Sequence, residues 1–191
     1  NACNGAGRFI VAEADESDGS FLKLNPCLAL VTNIEDDHLD YYGTEENIYK
    51  AFKQFLGNLV EGGKAILCVD NAKVKALAQE TDKEVITYGL EDADYVAKDI
   101  HYGVDGTTYK LYYKDEFVTD VRLIVPGRHN VLNSVGAFAA AREMGIAKES
   151  ILVSLAKFGG AKRRFETKGK VNGVWVVDDY AHHPTEIEVT L

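Results

Sequence analysis

Cysteine is scarce in this chain, with three residues in 191 (Cys3, Cys27 and Cys68). An odd, unpatterned set excludes a disulfide framework and fits a reducing, cytosolic compartment. Cys27 and Cys68 lie in apolar runs, which predicts reduced core thiols. Proline is equally scarce, also three, while hydrophobic residues make up 46%; a disordered or low-complexity chain is thereby excluded. No apolar run approaches the ~20 residues a membrane span needs, and no secretory apolar region is present. Bases are outnumbered, 21 Lys and Arg against 30 Asp and Glu, for a net charge of -9. Without a basic face, a duplex nucleic acid is not the partner. Small phosphates remain open, provided a divalent cation stands between the negative charges. The start, "NACNGAGRFIVAE", has no initiator Met, and the expectation is a piece of a longer protein.

What is present alternates. "RFIVAEA" reads as a short strand, and "CLALVTN" as a second, covered on both faces. Ile48, Phe52, Phe55 and Leu59 recur at helical spacing, predicting a helix from Glu45 to Leu59 with acids in its first turn and a stop at Gly62-Gly63. "KAILCVD" and "VITYG" are further strands, separated by a short helix over residues 71–80. This rhythm predicts a mostly parallel central sheet flanked by helices, an α/β fold. Between about residues 94 and 125 the period changes to two. The signals "DG" at Asp105-Gly106 and "KDE" at 114–116 predict a small additional antiparallel sheet of three strands attached to the parallel one. Helices resume with "HNVLNSVGAFAAAREMG" and "KESILVSLAKFGG". A final strand, "GVWVVDDY", precedes a helix begun by "PTEIEVTL", with Pro184 in its first turn.

Polar clusters stand where these strands end, and in open α/β sheets ligands bind outside the carboxyl ends. "FIVAEADESD" carries Glu13, Asp15, Glu16 and Asp18. "LALVTNIEDDHLDYY" carries Glu35, Asp36, Asp37, His38 and Asp40. "VWVVDDYAHHPTE" carries Asp178, Asp179, Tyr180, His182 and His183. Carboxylates with one imidazole and no cysteine pair suit a hard or borderline divalent ion, although each cluster reads equally as a solvated loop. "GRHNVLN" places Asn130 and Asn133 on one helix face. Their amides donate and accept at once, as an adenine edge requires; Asn130 reads equally as a helix cap. Arg163 and Arg164 follow a Gly-Gly break, and guanidinium forks grip phosphate bidentately; a solvated basic pair is the plain alternative.

Five blocks, "EADESDGSFL", "TNIEDDHLDYY", "GRHNVLNS", "FGGAKRRFE" and "VVDDYAHHPTEI", stand here in order. Together they resemble the central domain of the Mur ligases, from about Phe9 to Leu191. The resemblance implies a P-loop NTPase-like ATP-binding domain spanning residues 1–191, with the 94–125 antiparallel subdomain inside it. It implies ATP- and Mg2+-dependent ligation of L-alanine to UDP-N-acetylmuramate through an acyl phosphate, in peptidoglycan precursor synthesis and hence cell-wall growth, in the cytoplasm. A murein tripeptide-recycling ligase of the same family, or a non-catalytic nucleotide-binding module, are the alternatives. On this resemblance Glu13 and His38 hold magnesium. His129, Asn130 and Asn133 line the adenine pocket, and Arg164, or less readily Arg163, meets phosphate. Asp179, perhaps with Asp178, binds the ribose; Tyr180, His182 and His183 face the reacting end. Glu13, His38 and Asp179 are then expected at the carboxyl ends of neighbouring strands.

The chain contains no "GxxxxGK[ST]" phosphate loop and no "GxSxG". The resemblance puts that loop, a UDP-binding domain and a C-terminal domain in the remainder of such a ligase, as the chain's own partners. Lys53, fifteen residues after His38, stands near the place of a carbamylated lysine in sibling ligases; the plainer expectation is an ordinary helix lysine.

Overall fold

The structure, a computed structural model, describes residues 5–103, 106–181 and 187–188. A six-stranded sheet runs in the order β1 (Leu28–Val31), β2 (Lys64–Cys68), β3 (Glu84–Gly89), β4 (Tyr95–Gly103), β5 (Gly106–Tyr113) and β6 (Glu116–Leu123). The pairings from β1 to β4 are parallel and those from β4 to β6 antiparallel. The period-two segment is therefore continuous with the parallel strands, joined where Tyr88 and Gly89 face Tyr95 and Val96. A separate two-stranded antiparallel sheet is made by β7 (Glu166–Val171) and β8 (Val174–Asp178).

Helices cover the sheet on both faces because β2 is apolar and buried on both of them from Ala65 to Cys68. Ala65 and Leu67 of β2 face a core built with α2 (Glu45–Gly57) and α3 (Ala72–Glu80). Ile66 and Cys68 face the opposite core, with Val131, Val135, Phe138 and Ala139 of α4 (Arg128–Glu143) and Ile151 of α5 (Lys148–Lys157). A sheet buried on both sides needs this continuous apolarity. The helix starts are chemically fixed. Thr44 accepts the Asn47 amide, and Asn71 accepts the Val74 amide at 3.1 Å, each serving as the N-cap. The turn between β5 and β6 has Lys114 and Asp115 at φ 49° and 64°, the mirror-type turn that suits a twisted hairpin.

Four expectations are corrected. Residues 9–14 form no strand; Ile10 and Val11 are 95% and 88% exposed, with no ladder partner. A strand is defined by pairing, and apolar composition without a neighbour does not make one. The final strand does form, but β8 pairs with β7 and not with the main sheet. Cys27 is exposed, since the run containing it enters β1 only at Leu28; Cys68 is buried. The helix expected to reach Leu59 ends at Gly57 with Asn58 as its cap, whose amide donates to the Leu22 carbonyl at 2.8 Å. Of "PTEIEVTL", Ile187 and Glu188 are helical. His182, His183 and Pro184 lie outside the described residues.

Candidate functional site

The acidic stretch after β1 is held by α3. Asn71 donates from its amide to Glu35 at 3.1 Å, and the Lys73 ammonium is paired with Asp36 and lies 3.6 Å from Glu45. Partial burial alone lowers the Lys73 pKa, and the two carboxylates more than reverse this, leaving it raised. Asp37 accepts the backbone amide of His38 at 2.8 Å. Most of the acids here are thus engaged with protein groups.

His38 itself stands out by backbone and contacts. It occupies the left-handed region (φ 55°) and starts the short helix α1 (Leu39–Tyr42). Its Nε2 lies 3.7 Å from Glu16 and 3.8 Å from Asp37. The Glu16 loop is brought there by α1, because the Tyr42 hydroxyl donates to the Glu16 carbonyl and Tyr41 packs over Gly19. Gly19 has φ 70° and no room for a Cβ, which would meet the Tyr41 hydroxyl at 2.7 Å. Asp15 accepts the Ser17 amide, and the Ser17 hydrogen bonds hold its pKa below the ordinary value. Glu13 is exposed on unpaired chain. The acid beside His38 is therefore Glu16, a correction to the expected neighbouring strand ends. His38 with one of these carboxylates could hold magnesium, which takes one or two protein ligands and completes its shell with water and phosphate. No group of three or more His, Cys, Asp or Glu forms a ready cage among the described residues.

The second half of the site gathers at the start of α4. Gly127 (φ 100°) precedes the helix, and the His129 ring folds back where a Cβ on Gly127 would stand. Partial burial of the ring lowers the His129 pKa from its ordinary value even though the residue as a whole is exposed. The Asp179 carboxylate pulls it back up and the Arg164 guanidinium pushes it further down, so both charges act on the ring. Asn130 is not the cap, since its amide donates to the Pro126 carbonyl at 2.6 Å. Asn133 is exposed on the helix.

Asp179 accepts two backbone amides, Phe165 and Ala181, each at 2.7 Å. Asp178 lies 3.4 Å from Lys168. The Arg163 guanidinium stacks 4.4 Å from the centre of the exposed Tyr180 ring. Lys53 pairs with Glu80 at 2.9 Å, as an ordinary helix lysine does. Two residues were missed by sequence reasoning. Arg128 binds Asp70 at 2.5 Å, and Asp70 also accepts the Leu90 amide at 2.8 Å. This ties the start of α4 to the carboxyl ends of β2 and β3. The contact spans 58 residues, and "VDN" carries no local signal for it.

Residues 2–141 match the Mur ligase middle domain. Over its whole length the chain is 51% identical to the UDP-N-acetylmuramate–L-alanine ligase of Desulforamulus reducens and 48% identical to that of Pelotomaculum thermopropionicum, covering 42% of each. The chain therefore spans about two-fifths of the length of these curated relatives. Among solved structures, a UDP-N-acetylmuramate-alanine ligase from Thermotoga maritima superposes with a TM-score of 0.79 at 26% identity. That match covers 92% of this chain and 40% of that one.

Proposed function

The chain belongs to the Mur ligase family, and from that premise we propose that it is the ATP- and Mg2+-binding platform of a cytoplasmic ligase joining L-alanine to UDP-N-acetylmuramate. The observation that carries this reading is the tie of the Arg163–Phe165 loop to Asp179, whose carboxylate accepts the Phe165 amide at 2.7 Å, with the charges of Asp179 and Arg164 both acting on His129 at the start of α4. A lowered pKa keeps His129 neutral near pH 7, so it meets a ligand as a hydrogen-bonding ring and not as a charge. That suits a nucleobase. Asn130 spends one amide proton on Pro126 and keeps its carbonyl oxygen for an adenine amino group. Asn133 offers a second amide one turn along the same face. Arg164, which is always charged, offers a planar fork to phosphate.

His38, with a carboxylate from the Glu13–Glu16 stretch, is the donor set for magnesium, which when bound offsets phosphate charge in transfer to the muramoyl carboxylate. The remaining work of the site is positioning. The 191 residues contain no phosphate-loop motif, so backbone donors and a lysine for the β- and γ-phosphates are not supplied by such a loop here. The isolated chain should accordingly give no alanine-dependent phosphate release, because reactants that are not held together lose their effective molarity.

A chimaera tests the reading: these residues replace the matching segment of the Desulforamulus reducens ligase. Phosphate release should then require Mg-ATP, UDP-N-acetylmuramate and L-alanine together, and His38→Ala should cut it by at least tenfold with the fold intact. A folded chimaera with no release rejects the reading. Release that follows L-alanyl-γ-glutamyl-diaminopimelate instead of L-alanine transfers it to the tripeptide-recycling branch.

A further inference from the structure

The loop between α5 and β7 has an unusual backbone. Arg163 and Phe165 sit in the left-handed region, at φ 61° and 47°. Neither is glycine, and such residues keep this conformation only where their surroundings fix it. The surroundings here are specific. The Arg163 amide donates to Glu166 Oε2 at 2.8 Å, and the Arg163 carbonyl accepts the Tyr180 amide at 2.8 Å. The Arg164 amide donates to the Ala161 carbonyl at 3.2 Å. The Phe165 ring meets Trp175 edge-on at 5.4 Å. Across these contacts lies a single carboxylate. Asp179 Oδ2 accepts the Phe165 amide and Oδ1 the Ala181 amide, both at 2.7 Å. Charge-assisted bonds of this length are the strong kind.

We propose that Asp179 is a positioning residue: by bridging Phe165 and Ala181 it locks the loop to the exit of β8 and so fixes where Arg164 stands relative to His129. The proposal deepens the nucleotide-platform reading, on which its consequence for ATP rests. It differs from a ribose-binding role because both carboxylate oxygens already serve the backbone. Each retains a lone pair, but the charge is committed to holding the loop. Asparagine at this position keeps one acceptor and turns the other atom into a donor facing an amide, so one of the two bonds is lost.

Two measurements test it. In the chain itself, Asp179→Asn should speed tryptic cleavage after Arg163 and Arg164 about tenfold, mapped by mass spectrometry. Its melting temperature should hold, because β7 and β8 contribute no residue to either core. Equal cleavage rates overturn the proposal. In the chimaera, the same substitution should raise KM about tenfold for ATP, 2′-deoxy-ATP and 3′-deoxy-ATP alike, with kcat little changed. A rise confined to ATP identifies the ribose hydroxyls as what Asp179 holds; it overturns the proposal and leaves the platform reading standing. A chimaera without ATP-dependent turnover removes the platform reading instead, and cleavage of the isolated chain still decides the question of the loop.

Discussion

The seat of α4 on the main sheet and the β7–β8 hairpin beside its first turn are built by opposite means. Between α4 and the sheet, Tyr88, Tyr109, Leu111 and Phe138 are fully buried and held mainly by close packing, with one polar contact, the Tyr109 hydroxyl 2.7 Å from Ser134 Oγ. On the hairpin, Val171, Val174 and Trp175 are 63%, 63% and 54% exposed, and individual polar contacts fix the chain. One region resists change everywhere, whereas the other depends on a few groups and is quiet elsewhere. The candidate nucleotide site lies on the seam. His129 belongs to the rigid helix, while Arg164 and Asp179 belong to the tethered hairpin.

The contrast breaks most visibly at Phe138. Its ring fills the core between α4 and the sheet, 6.2 Å from Tyr95. Phe138→Ala should cost about 3–5 kcal/mol, the transfer and cavity cost of a lost buried ring. Urea unfolding measures it, and a loss below about 1 kcal/mol would show that the core under α4 is loosely packed.

Gly136 sharpens the same contrast. A Cβ there would stand 2.8 Å from the Tyr88 ring and 3.0 Å from its hydroxyl. Alanine ordinarily favours a helix interior over glycine by about 1 kcal/mol. Gly136→Ala should nevertheless destabilise by about 1–3 kcal/mol, since a buried ring has no room to retreat. A stabilised variant would mean that α4 can lift from the sheet. Trp175→Ala, by comparison, should cost under about 1 kcal/mol. It removes an exposed edge contact with Phe165 and a 3.2 Å bond to Thr167. Global unfolding that moves as much as for Phe138→Ala would erase the distinction between the regions.

The sequence was legible where local pattern decides the outcome. The helices at 72–80, 128–143 and 148–157 and the strands from 64 to 123 follow from period, caps and turn chemistry. Asn71 could be read as a helix start because a cap acts over three residues. The strand over 9–14 could not be settled, because pairing depends on a neighbour that periodicity does not name. The partner of β8 was hidden for the same reason. Within the site, His129, Arg164 and Asp179 stand in sequence blocks far apart along the chain, and the charges of Arg164 and Asp179 act on the His129 ring. Glu13 is what the family resemblance implies for magnesium, whereas the acid 3.7 Å from the His38 ring is Glu16, which no local pattern singles out. Asp70–Arg128 and Asn71–Glu35 join residues 58 and 36 apart, a distance at which neither periodicity nor capping carries information.

The smallest effect probes the seam itself. His129 should titrate below 6.5, the ordinary value for a histidine. Burial disfavours its charged form, and Arg164 disfavours a second positive charge, while Asp179 favours it. Arg164→Gln should therefore raise the His129 pKa. Asp179→Asn should lower it, since Asp179 is the stronger of the two influences even if Arg164 shifts with the loop. The linkage sign follows from the same depression. Between the folded and unfolded pKa values the unfolded chain binds more protons, so stability rises with pH there. The contribution of this group is complete above about 6.5 and is lost as pH falls through the folded value. Proton NMR of the imidazole resonances measures both variants in the chain as it stands. If neither substitution moves the titration, the charges of the hairpin do not reach the start of α4. The rigid and tethered regions would then share no site, and the neighbourhood on which the nucleotide reading rests would be gone.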